Sequence, residues 1–305
     1  MSSPVIIIDN GSSNLKGGLS TEYLPLFTIP TLIGRPLIHT DNTFIRKKYS
    51  IELKPIMIGE EIIPIIRPFL EISEPIREGI INNFYDMRFL WEYTLTKKLR
   101  IDKNDLKDRK IIMSEDSFNS PENKAKMAEI IFEKIGLGFL NVEPKEKMVL
   151  AAEGDETGVV VTSGDGLTKI TPIINGYLIH NKIKKLDIGG KRITNYLTKL
   201  LTVKGYALHH ILNFEEMKNI KEKLCFVSCD IESDRKLERE TSFNNIFTKL
   251  PDGTTIRISE ERFEAPEILF QPYLIQDESP GIHETLFKVL NVFKYLYNFL
   301  FILVN

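Results

Sequence analysis

The sequence predicts an α/β fold made of two similar halves. Residues 5–8 (VIII) and residues 158–161 (GVVV) are β-branched apolar runs, and each ends in a turn rich in Gly, Ser, Asn and Asp. Such runs favour buried strands, and such turns expose backbone amides that can receive an anion. Strand and helix patterns alternate along the chain, which is typical of an α/β domain with a mixed sheet. Two such turns in one chain indicate a duplicated fold that binds one polyphosphate.

Composition is that of an ordinary globular protein. The 305 residues carry a formal charge of −2, with 42% hydrophobic and 27% charged residues. This balance gives no reason to expect nucleic acid as a partner. The cysteines, Cys225 and Cys229, favour a reducing, cytoplasmic setting, and their i, i+4 spacing suits packing better than metal binding. The histidines show no metal-ligand spacing, and the early first strand leads us to expect no signal peptide.

In the first half of the chain, three segments have clear periodicity. Apolar residues recur at helical spacing in residues 82–99, and residues 110–114 predict a short strand. Residues 120–135 predict a helix with Ser120 as its N-cap and a proline at the first helical position. The polar and basic residues 40–50 indicate an exposed loop or a small insertion.

The second half continues the alternation. Residues 170–178 predict strand around an Asn-Gly turn, and residues 248–258 predict a hairpin. An amphipathic helix is predicted over residues 190–203. A second helix is predicted over residues 213–231, with a buried stripe formed by Met217, Ile220, Leu224 and Val227.

The end of the chain is unusually apolar. Residues 286–304 read LFKVLNVFKYLYNFLFILV, and lysines and asparagines interrupt the run. The longest uninterrupted stretch is far shorter than the roughly 20 residues that cross a bilayer, so we expect no membrane span. The tail is predicted either to pack as a terminal helix or to be foreign to the natural fold.

Several longer motifs, taken in order, resemble those of the actin family, which comprises actin and the actin-related proteins. They are DNGSS at 9–13, IGRP at 33–36, SGDG at 163–166, LDIGGKRITNYL at 186–197, IKEKLC at 220–225 and ERFEAPEILFQP at 261–272. The resemblance covers residues 4–285, and within the family it indicates one paralogue, a subunit of an actin-nucleating complex.

The resemblance implies the actin-like ATPase fold, in which duplicated ribonuclease-H-like lobes flank a nucleotide cleft. Residues 1–145 would form the first lobe, with residues 35–67 as a small inserted subdomain. Residues 146–285 would form the second lobe, with residues 185–262 inserted. Residues 286–305 lie outside the resemblance. Because the family's third nucleotide loop and its last strands and helices are missing, we expect a C-terminally truncated product.

The resemblance also implies a set of nucleotide-binding residues. Asp9 would orient cation-bound water, and Asp165 would lie near the ribose or that water. The ammonium of Lys16 would reach the β- and γ-phosphates, and the less favoured alternative is a solvated hairpin with a surface lysine. A solvated helix face is the alternative for Lys221 and Glu222. The implied positions are Asp9, Asn10, Gly11, Ser12, Ser13, Lys16, Gly164, Asp165, Gly166, Gly190, Lys221 and Glu222.

Three positions depart from the family pattern where the chemistry would occur. Thr162 replaces an acid before the second turn, Lys169 replaces a histidine, and Lys145 replaces the water-orienting glutamine. Phosphoryl transfer needs accurately placed water and metal, so we predict weak hydrolysis or none and assign no catalytic residue. The two lysines are expected to replace part of the charge of a Mg²⁺ or Ca²⁺ ion, which would be held only through water by Asp9 and Asp165.

The implied function is that of a cytoplasmic structural protein of the actin cytoskeleton, with ATP as a conformational ligand. Its expected partners are the other subunits of the nucleating complex and actin filaments, with no nucleic acid. Two alternatives stay open. One is an ATP-dependent enzyme of the wider actin, sugar-kinase and chaperone class, and the other is a non-functional fragment.

Overall fold

The computed structural model describes residues 3–37, 42–208, 214–241, 245–250, 253–293 and 300–304. The chain divides into two compact units. Unit 1 comprises Met1–Val160, Ile173–Asn181 and Leu300–Ile302, and unit 2 comprises Val161–Pro172, Lys182–Phe299 and Leu303–Asn305. The lobe boundary after residue 145 stays a prediction.

The strands, in chain order, are β1 Ile6–Asn10, β2 Asn14–Leu19, β3 Phe27–Pro30, β4 Ile33–Pro36, β5 Met57–Ile58, β6 Leu70–Ser73, β7 Ile76–Arg77, β8 Ile80–Ile81, β9 Lys110–Glu115, β10 Phe139–Pro144, β11 Gly158–Ser163, β12 Thr168–Ile174, β13 Tyr177–Leu178, β14 Lys184–Leu186, β15 Ile246–Lys249, β16 Thr255–Ile258 and β17 Leu300–Val304. The helices are α1 Asn42–Tyr49, α2 Phe84–Tyr93, α3 Pro121–Glu129, α4 Lys145–Ala152, α5 Gly190–Val203, α6 Phe214–Leu224, α7 Ile231–Glu240, α8 Glu261–Glu264 and α9 Ile282–Phe293.

Unit 1 contains a mixed five-stranded sheet in the order β10-β9-β1-β2-β3. β1 runs parallel to β9, and β9 runs parallel to β10, whereas β2 and β3 follow as antiparallel neighbours. The carboxyl ends of β1, β9 and β10 therefore lie at one edge of the sheet, which is where open α/β sheets place ligands. The predicted strand at residues 110–114 is confirmed as β9.

The helices of unit 1 pack on this sheet through the predicted apolar stripe. Met87, Leu90 and Trp91 of α2 are fully buried against the β1 core, and the helix continues as a π-helical turn to Lys98. The predicted cap of α3 is also confirmed, because the Ser120 hydroxyl accepts a hydrogen bond from the Asn123 amide. The predicted helical segments at residues 82–99 and 120–135 are both present.

A smaller sheet, in the order β5-β4-β6, has a core of its own. It is closed by α1, which forms where residues 40–50 were predicted to be an exposed loop or small insertion. The loop alternative fails for residues 42–49 because one apolar residue of this polar segment, Ile45, is fully buried and fixes the helix. The buried members of this core are Ile45, Leu53, Met57, Ile62, Ile66 and Leu70.

A third sheet has the strand order β13-β12-β11-β17, with β14 also pairing with β12. The predicted Asn-Gly turn joins β12 to β13. Asn175 and Gly176 both have positive φ, at 50° and 76°, as a two-residue hairpin turn requires. All of β11 except its last residue is buried, which agrees with its continuous apolar run.

The core of unit 2 is built around α5, which begins and ends where the sequence predicted. Its Leu197 and Leu201 pack with Met217 of α6 and with β16, where Ile256 and Ile258 are fully buried. β15 pairs with β16 in an antiparallel hairpin, as predicted, and Gly253 in the connection has φ 88°. Residues 251–252 of that turn lie outside the described residues.

The helix predicted over residues 213–231 is shorter than expected. α6 ends at Leu224, and a new helix, α7, begins at Ile231. Arg262 causes the break, because its guanidinium donates to the Leu224 carbonyl at 2.8 Å and its own carbonyl accepts from the Phe226 amide at 3.1 Å. Val227, predicted to be buried, is 51% exposed. Residue 213 lies outside the described residues.

The described part of the apolar tail begins as a helix. α9 runs through residue 286 to Phe293, and its Val289 is buried. The helix contacts β14, so this part of the tail packs on unit 2. Among the described residues, no helix is both long enough and apolar enough to cross a membrane.

Candidate functional site

The first turn, residues 10–13, connects β1 to β2 at the edge where the parallel strands end. Its glycine is sterically required, since a Cβ on Gly11 would lie 2.4 Å from the Asn14 carbonyl oxygen. The Thr31 hydroxyl donates to the Gly11 carbonyl at 2.8 Å, and the Thr31 amide donates to the Ser13 carbonyl at 2.9 Å. Two turn carbonyls are thereby fixed by Thr31, the residue after β3, which shapes the turn.

Asn10 anchors this turn to the sheet and to α2. Its side-chain amide donates to the Ser114 carbonyl at 2.9 Å, and its backbone amide donates to the Ser114 hydroxyl at 2.8 Å. Its side-chain oxygen accepts from the Trp91 indole at 3.1 Å. Ser12 is held as well, because its hydroxyl accepts from the Gly79 amide at 2.9 Å. The side chains of Asn10 and Ser12 therefore position the turn.

Asp9, the predicted cation-side acid, has both carboxylate oxygens engaged. The Ser114 hydroxyl donates to Oδ1 at 2.7 Å, and the Lys145 ammonium donates to Oδ2 at 3.0 Å. Lys145 is the first residue of α4, immediately after β10. The end of β10 lies two strands away from the end of β1, about 10 Å, which an extended lysine side chain can span.

Lys16 lies beside Asp9 in the β1–β2 ladder. The two residues are register partners, so their side chains project from the same face of the sheet. Lys16 is exposed to solvent. Unit 1 therefore presents the small-residue turn together with one carboxylate and two ammonium groups, Lys16 and Lys145.

The second turn, residues 164–166, lies in unit 2 and is locked to the start of α5. The amides of Gly190 and Lys191 donate to the carbonyls of Gly164 and Asp165, both at 2.9 Å. A Cβ on Gly189 would lie 2.6 Å from the Asp165 carbonyl oxygen, so only glycine allows this close packing. The turn and the helix start form one rigid element.

One predicted site residue, Lys221, contacts this element from α6. The Lys221 ammonium donates to the Gly190 carbonyl at 3.0 Å. A Cβ on Gly190 would lie 2.9 Å from that ammonium and 3.2 Å from a carboxylate oxygen of Asp165. Burial lowers the pKa of Lys221, and the nearby charges of Asp165 and Glu222 oppose the shift. Glu222 itself is exposed on α6.

Two of the departures from the family pattern lie in buried strand positions of unit 2. Thr162, in β11, is 8% exposed, and Lys169, in β12, is 4% exposed. Lys169 pairs in register with Lys185 of β14. Thr162 places a hydroxyl where the resemblance implied an acid, so this strand end contributes no negative charge.

Cation ligands are sparse in the part of the chain that the structure describes. There, no group of three or more His, Cys, Asp or Glu side chains is arranged to hold a metal ion. Gly11 and Gly190 are required by close packing within the protein, because a Cβ there would lie 2.4 Å from the Asn14 carbonyl oxygen and 2.9 Å from the Lys221 ammonium. Asp9 already accepts one hydrogen bond at each carboxylate oxygen, from Ser114 and from Lys145.

A groove of about 850 Å³ also lies in unit 2, away from the predicted residues. Glu267, Phe270, Tyr273 and His283 are among its lining residues, and none of the predicted nucleotide-binding residues lines it. Burial raises the pKa of Glu267, while the Gln271 amide, 2.7 Å from its carboxylate, opposes the shift.

Comparison with known proteins agrees with this geometry. A family model described as Actin matches residues 1–295. The chain belongs to the actin family. Actin-related protein 2 of Schizosaccharomyces pombe is 38% identical over 302 residues, which cover 97% of this chain and 75% of the relative. This family membership confirms the predicted actin-like α/β fold.

Two further relatives of this actin-family chain have the same name. Actin-related protein 2 of Saccharomyces cerevisiae is 39% identical, covering 93% of this chain and 71% of the relative. That of Caenorhabditis briggsae is 40% identical, with coverage of 93% and 70%. The prediction that the resemblance ends at residue 285 is wrong, because the family model reaches residue 295 and α9 continues to Phe293.

Sequence reasoning missed the residues that hold the first turn in place. Ser114, Thr31 and Trp91 contact it from β9, from the residue after β3 and from α2. Ser114 could have been noticed as a polar residue near the end of a parallel strand. Thr31 and Trp91 gave no such signal, since threonine near a strand and tryptophan on an apolar helix stripe are commonplace.

Proposed function

We propose that this chain is an ATP-binding actin-related protein that serves as a structural subunit of the actin-related protein 2/3 complex, which nucleates branched actin filaments in the cytoplasm. The identity to several proteins named actin-related protein 2, over most of this chain, supports the assembly role. The observation that carries nucleotide binding is the small-residue turn after β1, which Thr31, Ser114 and Gly79 hold in place beside Lys16.

The first turn, at residues 10–13, would hold phosphate oxygens, and Lys16 would add a positive charge. At the second turn, Lys221 and Asp165 are the polar groups beside Gly190 that would contact a ligand. Bound ATP would act as a conformational ligand that favours the nucleation-competent arrangement.

Hydrolysis is proposed to be weak or absent. The glutamine implied at this position can both accept and donate hydrogen bonds to water, whereas the Lys145 ammonium can only donate. Thr162 supplies no carboxylate for cation-bound water. Because phosphoryl transfer depends on placing water and metal accurately, these two residues lower the rate rather than the affinity.

The test of nucleotide binding is thermal unfolding of the purified chain with increasing ATP. We expect ATP to raise the unfolding temperature, because a ligand that binds only the folded state stabilises it by mass action. Lys16→Ala should weaken ATP binding by about tenfold, the usual loss for one charge-assisted hydrogen bond.

Lys236→Ala is the matched control, since Lys236 is an exposed lysine on α7 far from the turns in sequence. It should bind ATP as the wild type does. A folded wild-type protein whose unfolding temperature does not respond to ATP would contradict the proposed nucleotide binding.

A further inference from the structure

We propose that Lys145 is a built-in counter-ion for Asp9 that lets the first turn bind a nucleoside triphosphate without a divalent cation. This inference rests on the proposed nucleotide binding and specifies how its charge is balanced. It is carried by the Lys145–Asp9 ion pair, whose ammonium and carboxylate lie 3.0 Å apart.

Asp9 already accepts a hydrogen bond at each of its carboxylate oxygens. Its Oδ1 accepts from the Ser114 hydroxyl and its Oδ2 from the Lys145 ammonium. A cation held through water needs carboxylate oxygens that can accept hydrogen bonds from that water. The Lys145 ammonium offsets the charge of this carboxylate, which weakens its attraction for a cation and the water bound to that cation.

The order of the parallel strands places Lys145 close to the first turn. Lys145 follows β10 directly, and Ser114 lies near the end of β9, the strand between β10 and β1. The three parallel strands therefore present lysine, serine and aspartate side chains along one sheet edge. Lys145 reaches across β9 to the last positions of β1, where the turn begins.

The charged side chains beside the first turn give it a positive net charge. Asp9 contributes one negative charge, while Lys145 and Lys16 each contribute a positive one, and Lys16 is the register partner of Asp9. The result is one net positive charge beside backbone amides that favour anions. The ammonium groups would offset part of the charge of a triphosphate placed there, which is the task a divalent cation performs at other phosphate sites.

A purely structural ion pair is the competing explanation. The side chains of Lys145 and Asp9 are 39% and 28% exposed, and pairs this exposed contribute little to stability. A structural role would leave the metal dependence of ATP affinity unchanged when Lys145 is replaced. The metal dependence therefore separates the two explanations.

The experiment is calorimetric titration of the full chain with ATP, once in excess magnesium and once in excess chelator. For the wild type we expect dissociation constants that agree within about threefold. For Lys145→Gln, which removes the charge but keeps the length, we expect ATP to bind at least about tenfold more weakly in chelator than in magnesium, the usual effect of losing a charge-assisted contact.

Lys147→Gln provides the matched control. Lys147 lies on the same helix, has a similar exposure of 42%, and pairs with Glu143 instead of Asp9. This variant should bind ATP equally well in both solutions. If Lys145→Gln does not fold, electron paramagnetic resonance of Mn²⁺ with wild-type protein and ATP tests the same point. Manganese should then bind the protein–ATP complex no more tightly than it binds free ATP.

Two different failures can be told apart. Wild-type binding that occurs only in magnesium, or manganese held more tightly by the complex than by ATP, would overturn this inference and leave the proposed nucleotide binding intact. An absence of ATP binding in both solutions, by protein whose circular dichroism shows it to be folded, would overturn both.

Discussion

The two cysteines differ in reactivity because of their surroundings. Cys225 follows α6 and is largely buried, and this burial raises the pKa of its thiol to about 12. Cys229, in the connection to α7, is exposed. Only the thiolate is a good nucleophile, so the thiol of Cys225 is inert at ordinary pH.

We therefore predict that alkylation of the native protein at mildly alkaline pH modifies Cys229 and leaves Cys225 unmodified. Peptide mass spectrometry after brief treatment with iodoacetamide measures this directly. In denaturant both residues should react, which serves as the control for access. Equal labelling of both cysteines in the native protein would show that α6 ends differently from the structure described above.

At the scale of elements, the end of α6 depends on one distant arginine. Arg262 donates to the last carbonyl of the helix, at Leu224, and its guanidinium lies 5.0 Å from the centre of the Phe226 ring. Helix ends leave carbonyls without partners, and here a side chain from the following segment supplies one. The contact thus sets where α6 stops and directs the chain towards α7.

Replacing this arginine should loosen both elements. We predict that Arg262→Ala lowers the free energy of unfolding by about 1–3 kcal/mol, since it removes a charged hydrogen bond and a cation–π contact. Urea titration followed by circular dichroism measures the change. Arg239→Ala, at an exposed position of α7, is the control and should change stability by less than about 0.5 kcal/mol.

The elements that could be predicted from sequence are those fixed by residues nearby in the chain, whereas an element that depends on a distant contact, such as the end of α6, could not. α5, β9 and the β12–β13 hairpin are specified by local periodicity and turn residues, and they appear where expected. The break after Leu224 could not be predicted, because IKEKLCFVSCDI continues a helical pattern and only Arg262, far along the chain, interrupts it. Likewise α1 forms in a polar segment because Ile45 is buried by the small sheet.

At the scale of the whole molecule, the candidate site could likewise be predicted only in part from sequence. The two turns could be identified from their small residues, and the identity of Lys145 could be predicted from the family pattern. Its bond to Asp9 could not, because it depends on the order β10-β9-β1 in the sheet. Strand order brings together residues from distant parts of the chain, and it cannot be derived from local sequence patterns.

Assembly is the property that tests the proposed role of the whole chain. When co-expressed with the remaining subunits of an actin-related protein 2/3 complex from the same source, the chain should elute with them in equal amount on size-exclusion chromatography. Substituting conventional actin for this chain provides the control and should give no such complex. Elution of the folded chain alone would contradict the structural role and leave nucleotide binding as a separate question.

The hydrogen bond between Trp91 and Asn10 has a practical consequence. Trp91 is the single tryptophan of the chain, it is fully buried, and its indole nitrogen donates to Asn10, where the first turn begins. Indole emission is sensitive to the hydrogen bond at that nitrogen and to the polarity around the ring. The fluorescence of Trp91 should therefore report changes at the first turn without an added label.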